Sequence, residues 1–322
     1  MLKINNLSVE YYLRNKTIKA LRNISLDLRR NDSMGIVGES GSGKTTLSMA
    51  ILKLILPYEG RITSGEVLFK NNGSIINLTN QTEREMRQIR GNKISIVFQD
   101  PFSALNPVIP VGEQITETLK AHKISGDLKE TVLNILKDVQ LNDNERIFRS
   151  YPHELSGGER QRICIAISVV THPAVLIADE PTTALDVTTQ KEILDLISNI
   201  WKNSSLSLIL ITHNMHLAVE RTKRITIMYA GEIVEQSETQ SIIKSPKHPY
   251  TVALFNAIPG FRKSRLTGIK GNVPDLSNLP EGCKFYERCE KRMDVCKKEE
   301  PELLNIENNH FVKCHLYRSN SK

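Results

Sequence analysis

Residues 38–45 have the types and spacing that bind the phosphates of a nucleotide. They read G-x-x-x-x-G-K-T and lie between an apolar run at 34–37 and a run with helical character at 46–54. Glycines let several backbone N–H groups turn toward one set of phosphate oxygens, and the N-terminus of the next helix adds favourable partial charge. We expect Lys44 to reach the terminal phosphates and Thr45 to ligate magnesium. The residues predicted to contact the nucleotide here are Gly38, Glu39, Ser40, Gly41, Ser42, Gly43, Lys44, Thr45 and Thr46.

A pair of acidic residues, Asp179 and Glu180, follows a second apolar run at 174–178. Open parallel sheets bind ligands at the carboxyl ends of their strands, and adjacent strand residues point to opposite faces. The two acids can therefore do different work. We assign Asp179 to the magnesium shell and Glu180 to the water that attacks the terminal phosphate. The alternative is a strand that ends in two solvated acids.

A third segment, Ser156-Gly157-Gly158, opens a helix predicted to run to about Val170. Its N-terminus is a second anion-binding position. Ser156 also has the place of an N-cap residue, with Glu159 at the third helical position, as in a capping box. Both interpretations can hold together, because a good cap is also a good anion site.

Together these segments resemble the nucleotide-binding subunits of ABC transporters, over residues 1 to about 258. Further residues match that family's pattern: Gln99 of the glutamine loop, Asp186 at the end of the loop 183–186, the switch histidine His213, and Tyr11, with Tyr12 as second choice, for stacking on adenine.

The resemblance implies an ATPase with bound ATP and Mg²⁺, in which Glu180, His213 and Gln99 are catalytic. Magnesium ligands are then Thr45, Gln99 and Asp179. In this family the segment 156–158 closes over the nucleotide of a partner subunit, so that two ATP molecules lie between two cassettes. Hydrolysis is therefore expected to require a dimer.

The fold implied is α/β: the P-loop NTPase fold of an ABC cassette, with a RecA-like core, an antiparallel β subdomain and an inserted α-helical subdomain at about 108–170. Apolar residues spaced by three and four positions predict helices within 111–122 and 128–139. A helix at 187–201 and strands at 208–212, 224–228 and 232–234 complete the cassette, residues 1–258. A small Cys-rich C-terminal extension, residues 259–322, follows it.

Four of the five cysteines lie in this extension: Cys283, Cys289, Cys296 and Cys314. Their clustering points to metal, but their intervals do not match common zinc ribbons, and four thiolates suit an iron–sulfur cluster or tetrahedral zinc. Residues 280–289 resemble a peptide-importer extension in which four such cysteines hold a [4Fe-4S] cluster, with zinc as the alternative. Cys164, on an apolar face of the predicted helix, is interpreted as a core residue.

The composition is that of a globular protein: 322 residues, 39% hydrophobic, 25% charged, with a formal net charge of +7. No apolar run approaches the ~18 residues that cross a bilayer, and no leader is recognised. The charge suits a protein beside an anionic membrane surface, and no basic run argues for nucleic acid. We expect a peripheral protein at the cytoplasmic face of the cell membrane.

The segment His248-Pro249-Tyr250 resembles the start of the extension in oligopeptide, dipeptide and nickel importer ATPases. This implies an ATPase that energises peptide import, with a nickel or metal-chelate importer as the alternative and a soluble, non-transport ABC ATPase as the less favoured one. The implied partners are two integral membrane permease subunits, a second, paralogous ABC ATPase and an extracytoplasmic substrate-binding protein. Substrate choice is not encoded in this chain.

Overall fold

The computed structural model describes residues 1–14, 16–71, 73–183, 185–258 and 268–320. Contacts divide the chain into two units. The first contains Met1–Leu28, Ser33–Asn80 and Leu210–Lys322, and the second contains Arg29–Asp32 and Gln81–Ile209. Ala184 and the first part of the loop predicted at 259–280, up to residue 267, lie outside the described residues. Within the described ranges, no helix combines the length and the hydropathy that a bilayer crossing requires.

The secondary structure alternates strands and helices along most of the chain. In chain order the elements are β1 (Leu2–Leu13), β2 (Lys16–Leu28), β3 (Ser33–Val37), α1 (Lys44–Ile51), β4 (Gly60–Asn71), β5 (Ser74–Asn77), α2 (Glu83–Ile89), β6 (Ile94–Val97), α3 (Pro101–Ala104), α4 (Val111–Ala121), α5 (Leu128–Asp138), α6 (Asn144–Arg149), α7 (Gly157–Val169), β7 (Val175–Asp179), α8 (Val187–Asn203), β8 (Ser207–Thr212), α9 (Met215–Arg221), β9 (Arg224–Tyr229), β10 (Glu232–Glu238), α10 (Thr239–Lys244), α11 (Pro249–Asn256), α12 (Asp294–Lys298), β11 (Leu303–Glu307) and β12 (His310–Lys313). Strand β8 is divided between the units after Ile209.

The first unit contains an antiparallel sheet in the order β2-β1-β4-β5. In β1 the apolar residues Leu2, Ile4, Leu7 and Val9 are buried. The shift from even to odd positions coincides with a register irregularity between Ile4 and Leu7, where a bulge turns the next side chains inward. This sheet corresponds to the predicted antiparallel β subdomain.

A second group of strands in the first unit has the order β11-β12-β10-β9-β3, in which β3 and β9 are parallel and the other pairs are antiparallel. Strand β3 is buried along its whole length, as expected for a parallel strand covered on both faces. The extension therefore adds two strands to the sheet that carries the phosphate loop. The motifs of the sequence do not predict these two strands.

Two buried carboxylates on β10 take their partners from the extension. Glu232 accepts an ion pair from Lys313 Nζ at 2.9 Å. Glu235 is within 2.7 Å of His310 Nε2 and accepts the backbone N–H groups of Lys247 and His248, each at 2.8 Å. Because buried carboxylates need partners, these contacts tie the extension to β10 beyond the strand pairing itself.

The second unit carries the pair β6 and β7, which run parallel, and most of the helices. Helices α4, α5, α7 and α8 agree with the predicted ranges to within about two residues. In α4, α5 and α8 the apolar residues form one stripe, whereas α7 begins at a capping box. In α7 nearly every residue from Gln161 to Val169 is buried, including Cys164, which confirms that this cysteine is part of the core.

Candidate functional site

The phosphate loop connects the end of β3 with the start of α1, as predicted. Gly43 has a φ of 99°, and a Cβ there would lie 2.7 Å from the carbonyl oxygen of Ala20. A Cβ at Gly38 would lie 2.3 Å from the carbonyl oxygen of Met228. Only glycine fits both positions, because one requires left-handed backbone and both lie against neighbouring strands.

Two polar groups of this loop are poised for an anion. Lys44 Nζ donates to the carbonyl oxygens of Gly38 at 2.9 Å and Glu39 at 3.0 Å. The hydroxyl of Ser42, in a residue only 4% exposed, has no hydrogen-bond partner among the described residues. A buried hydroxyl without a partner and a lysine folded over its own loop both match a phosphate that accepts from them.

Two further predicted residues belong to the same unit. Tyr11 is half-buried in β1 and pairs with Gly60, where a Cβ would meet its ring at 2.8 Å. Its neighbour Tyr12 is 40% exposed, and alternate strand residues point to opposite faces. His213 is exposed and lies between the end of β8 and the N-cap of α9, Asn214.

In the second unit the two acids lie at the carboxyl edge of β7. Asp179 is its last residue and is 2% exposed. Glu180 follows with a φ of 46°, and its Oε2 accepts from the Thr183 hydroxyl at 3.3 Å. Because Val97 of β6 pairs with Ala178, Gln99 lies just beyond the same edge, exposed to solvent. The structure thus brings these three predicted residues to one edge.

The segment 156–158 begins α7 with a complete capping box. Glu159 N–H donates to Ser156 Oγ at 3.2 Å, and Ser156 N–H donates to Glu159 Oε2 at 2.8 Å. Burial would raise the pKa of Glu159, but the hydrogen bonds from Ser156 and Arg146 hold it below its ordinary value. Ser156 is exposed, so its hydroxyl can face a ligand as well as the helix.

Asp186 lies beside this segment as the N-cap of α8, where it accepts the N–H groups of Thr188 and Thr189. The Thr189 hydroxyl donates to it at 2.6 Å, and these bonds lower the pKa of Asp186. A Cβ at Gly158 would lie 2.9 Å from the Thr189 side chain, and one at Gly157 would lie 3.4 Å from Leu185. Two helix N-termini therefore share one patch of the second unit.

The four cysteines of the extension all belong to the first unit, and none forms a disulfide. Burial, with a smaller contribution from the other cysteines, raises the pKa of Cys283 to about 12 and that of Cys314 to about 11. Among the described residues, however, no three His, Cys, Asp or Glu side chains converge as a metal-ion site requires. The predicted metal centre is therefore not supported by this arrangement, although four free thiols have the donor chemistry of such a centre.

Two residues that contact the phosphate loop were missed as site residues. Tyr250 was noted only as part of a motif, and its hydroxyl accepts the Glu39 N–H at 3.0 Å. Arg288 binds the Glu39 carboxylate with two nitrogens, at 2.6 and 3.0 Å. No local pattern could have identified Arg288, since 249 residues separate it from Glu39.

Comparison with known families finds two matching regions in the chain. Residues 21–183 match the ABC transporter family, and residues 234–296 match the oligopeptide/dipeptide transporter C-terminal region. Among curated relatives, the oligopeptide transport ATP-binding protein AppD of Bacillus subtilis (strain 168) is 39% identical over 98% of this chain and 97% of its own length. The dipeptide transport ATP-binding protein DppD of the same organism is 41% identical over 98% of this chain and 94% of its own.

Solved structures give the same fold. The ATP-binding cassette MJ0796, in a dimeric post-hydrolysis state bound to ADP and Pi, has a TM-score of 0.65 and 28% identity, covering 74% of this chain and 99% of that one. CbiO1 from Clostridium perfringens, part of the cbiONQ complex, has a TM-score of 0.63 and 26% identity, covering 79% of this chain and 94% of that one. The fold is that of the ABC cassette, as the sequence predicts.

Proposed function

This chain belongs to the ABC transporter family and is an ATP-hydrolysing subunit, and we propose that it energises the import of di- or oligopeptides across the cytoplasmic membrane. The observation that carries the proposal is the combination of an intact phosphate loop with the C-terminal region of oligopeptide and dipeptide transporters in one chain. The two relatives, which match over nearly the whole length, are named as oligopeptide and dipeptide transport ATP-binding proteins.

Phosphoryl transfer needs positioning and charge neutralisation more than covalent help, and each predicted residue has such a task. Lys44 exchanges its bonds to Gly38 and Glu39 for bonds to the terminal phosphates. Thr45, Gln99 and Asp179 are the residues that would hold Mg²⁺, which would supply positive charge to the phosphates. Glu180 accepts the proton of the attacking water, and Tyr11 stacks on adenine.

The remaining predicted residues are a catalytic histidine and the groups that contact a partner's nucleotide. His213 stabilises the charge on the transferred phosphoryl group. Ser156, Gly157, Gly158 and Asp186 act on the nucleotide of a partner cassette, since in the second unit they form a patch with two helix N-termini. The dimeric state of the similar cassette MJ0796 with ADP and Pi supports this arrangement.

The partners follow from the proposed activity. Two integral membrane permease subunits, a second, paralogous ABC ATPase and an extracytoplasmic substrate-binding protein complete the transporter. The chain then lies at the cytoplasmic face of the membrane as a peripheral subunit. These partners are supported by the C-terminal region, which matches that of oligopeptide and dipeptide transporters.

Co-purification of the chain with its membrane partners, followed by uptake in vesicles, tests the substrate class. We expect unlabelled di- and oligopeptides to compete with a labelled peptide and to stimulate ATP hydrolysis, while nickel leaves both rates unchanged. Uptake of nickel that peptides do not inhibit would replace the proposal with a metal importer. ATP hydrolysis that no membrane subunit stimulates would point to a protein without a role in transport.

We also propose that Cys283, Cys289, Cys296 and Cys314 hold a [4Fe-4S] cluster. The support is the donor set: four unlinked thiols in one unit, of which Cys283 and Cys314 lie near enough to other cysteines for those to raise their pKa. Such a centre would staple a segment with few apolar residues. Anaerobic purification should yield about four iron atoms per chain with a broad visible absorption. A colourless protein with one zinc, or with no metal, would exclude the cluster.

A further inference from the structure

Every hydrogen-bonding group of Glu39, in the phosphate loop, has a partner. Its carbonyl oxygen accepts from Lys44 Nζ at 3.0 Å, and its N–H donates to the Tyr250 hydroxyl at 3.0 Å. Its carboxylate receives two bonds from Arg288, at 2.6 and 3.0 Å. The residue that orients Lys44 is thus itself held by two residues from the C-terminal third of the chain.

Arg288 is fixed from several sides. Its side chain is 6% exposed, and its Nε donates to the Lys270 carbonyl oxygen at 2.9 Å. The guanidinium lies 5.7 Å from the ring centre of Tyr229 and 6.0 Å from that of Phe285. A planar guanidinium that binds a carboxylate with two nitrogens and stacks near aromatic rings has little freedom to move.

The same contacts connect Arg288 with the cysteine segment, which is defined here as residues 283–289. Arg288 ends the short 3-10 helix Tyr286–Arg288 and directly precedes Cys289. Cys283 and Cys289 pack against the apolar cluster that contains Tyr229, Tyr250 and Phe285. That cluster also includes Val37, the residue before Gly38, so the cysteines and the phosphate loop share one packed body within the first unit.

We propose that Arg288 is a positioning residue for ATP: it neutralises Glu39 beside the phosphate loop and transmits the state of the cysteine segment to the affinity for nucleotide. The inference rests on the proposed ATPase function. ATP brings several negative charges to this loop, and a carboxylate without its guanidinium would repel them. Any change that displaces residues 283–289 would remove Arg288 from Glu39 and weaken ATP binding.

The equilibrium affinity of the full-length chain for Mg-ATP, measured by calorimetry, tests the charge argument. We expect Arg288→Met to weaken binding by about tenfold, within the usual range for coupled sites. The double variant with Glu39→Gln should bind as tightly as Glu39→Gln alone, because the repelling charge is then absent. Arg292→Met is the matched control. Arg292 lies shortly after Cys289 and near the Tyr286 ring, and the variant should bind Mg-ATP like the parent chain.

Two outcomes of this cycle would overturn the inference. Unchanged affinity in Arg288→Met would show that Glu39 needs no neutralisation. A double variant as weak as Arg288→Met would show that the arginine acts only through folding. Failure of the parent chain to bind Mg-ATP would instead overturn the proposed function, and the inference with it.

Hydrogen exchange provides a second measurement that does not depend on turnover. Since coupling between two sites is reciprocal, a non-hydrolysable ATP analogue should slow amide exchange in residues 283–289 of the parent chain. The effect should be lost in Arg288→Met and kept in Arg292→Met. Exchange at 283–289 that the analogue does not alter in the parent chain would contradict the coupling.

Discussion

Glu180 has a left-handed backbone, with a φ of 46°, directly after a buried strand. Residues with a Cβ rarely adopt this backbone conformation. Those that do concentrate at functional sites, where the surrounding structure enforces the conformation. The conformation turns the chain away from the strand direction, so Glu180 does not simply continue the alternation of β7. The sequence predicts the acid pair and its edge, but not this turn, which depends on the residues that follow.

Replacing Glu180 by Gln should separate binding from hydrolysis. The amide keeps the size of the side chain but cannot accept the proton of water, so we expect hydrolysis at the site that contains residue 180 to fall by at least about 100-fold in the assembled transporter. Affinity for Mg-ATP should remain, and ATP should accumulate unhydrolysed on the protein. Glu117→Gln, at an exposed position of α4, is the control. Unchanged hydrolysis in Glu180→Gln would remove Glu180 from this role.

Among the elements, helix α7 begins at a residue with two predicted tasks, capping the helix and contacting a ligand. Ser156 caps the helix through Glu159, and the same N-terminus is predicted to meet a partner's nucleotide. The sequence reveals this helix well, because its cap, its glycines and its apolar face all agree. It cannot reveal which of the two tasks Ser156 performs, since both need the same hydroxyl.

Two substitutions at Ser156 should separate these tasks. Ser156→Ala should lower the free energy of unfolding by about 1 kcal/mol through loss of the cap. Ser156→Asp should retain the stability, because Asp caps equally well, yet place a negative charge where a phosphate is expected and abolish hydrolysis at the site that residue 156 completes in the assembled transporter. Urea titration and ATPase assays measure the two effects. Full hydrolysis by Ser156→Asp would show that Ser156 is a cap alone.

Helix α11 begins at the motif that suggested a peptide importer, and its cap is a buried histidine. His248 Nδ1 accepts the Tyr250 N–H at 3.0 Å, and its other ring nitrogen donates to the Lys313 backbone. Burial lowers the pKa of His248 to about 4, although the nearby Glu235 acts to raise it. The motif thus joins α11 to β12 and, through the Tyr250 hydroxyl, to the phosphate loop.

This histidine predicts a pH dependence of stability. Its pKa is about 4 in the fold and about 6.5 when unfolded, so the unfolded chain binds more protons between these values. The contribution of His248 to the free energy of unfolding is complete above pH 6.5 and declines as the pH falls toward 4. The decline is about 2 kcal/mol between pH 7.5 and 5. His248→Asn keeps a cap and should show a shallower decline in urea titrations. An equal decline would assign the pH dependence to other groups.

For the whole molecule, motif order predicts the cassette and its chemistry, because each motif is local in sequence. The placement of the extension could not be predicted. Strand β12 is only four residues long and pairs with β10, which is distant in sequence. An alternation of apolar and polar residues cannot be recognised over so short a strand. Two strands, the buried ion pair between Glu232 and Lys313 and the buried contact between Glu235 and His310 attach the extension to the sheet.

Mixing two inactive variants tests which chains pair in the transporter. Glu180→Gln and Ser156→Asp damage opposite halves of a composite site. A pair formed by one copy of each would contain one site with both halves intact and would hydrolyse ATP. Because we propose a paralogous partner, we expect the mixture, assembled with the membrane subunits, to remain as inactive as either variant alone. Recovered hydrolysis would show that two copies of this chain pair with each other.

The contacts of Glu232 and Glu235 on β10 predict what happens when the extension is removed from this protein. A chain cut after residue 258 would lose Lys313 and His310, leaving two buried carboxylates without their cationic and imidazole partners. Removing one partner of a buried ion pair such as Glu232–Lys313 costs about 3–5 kcal/mol, a large part of the stability of a domain. It would also expose the edge of β10 to other chains. The minimal cassette therefore ends at β12, and a truncated one should be recovered mainly as aggregate.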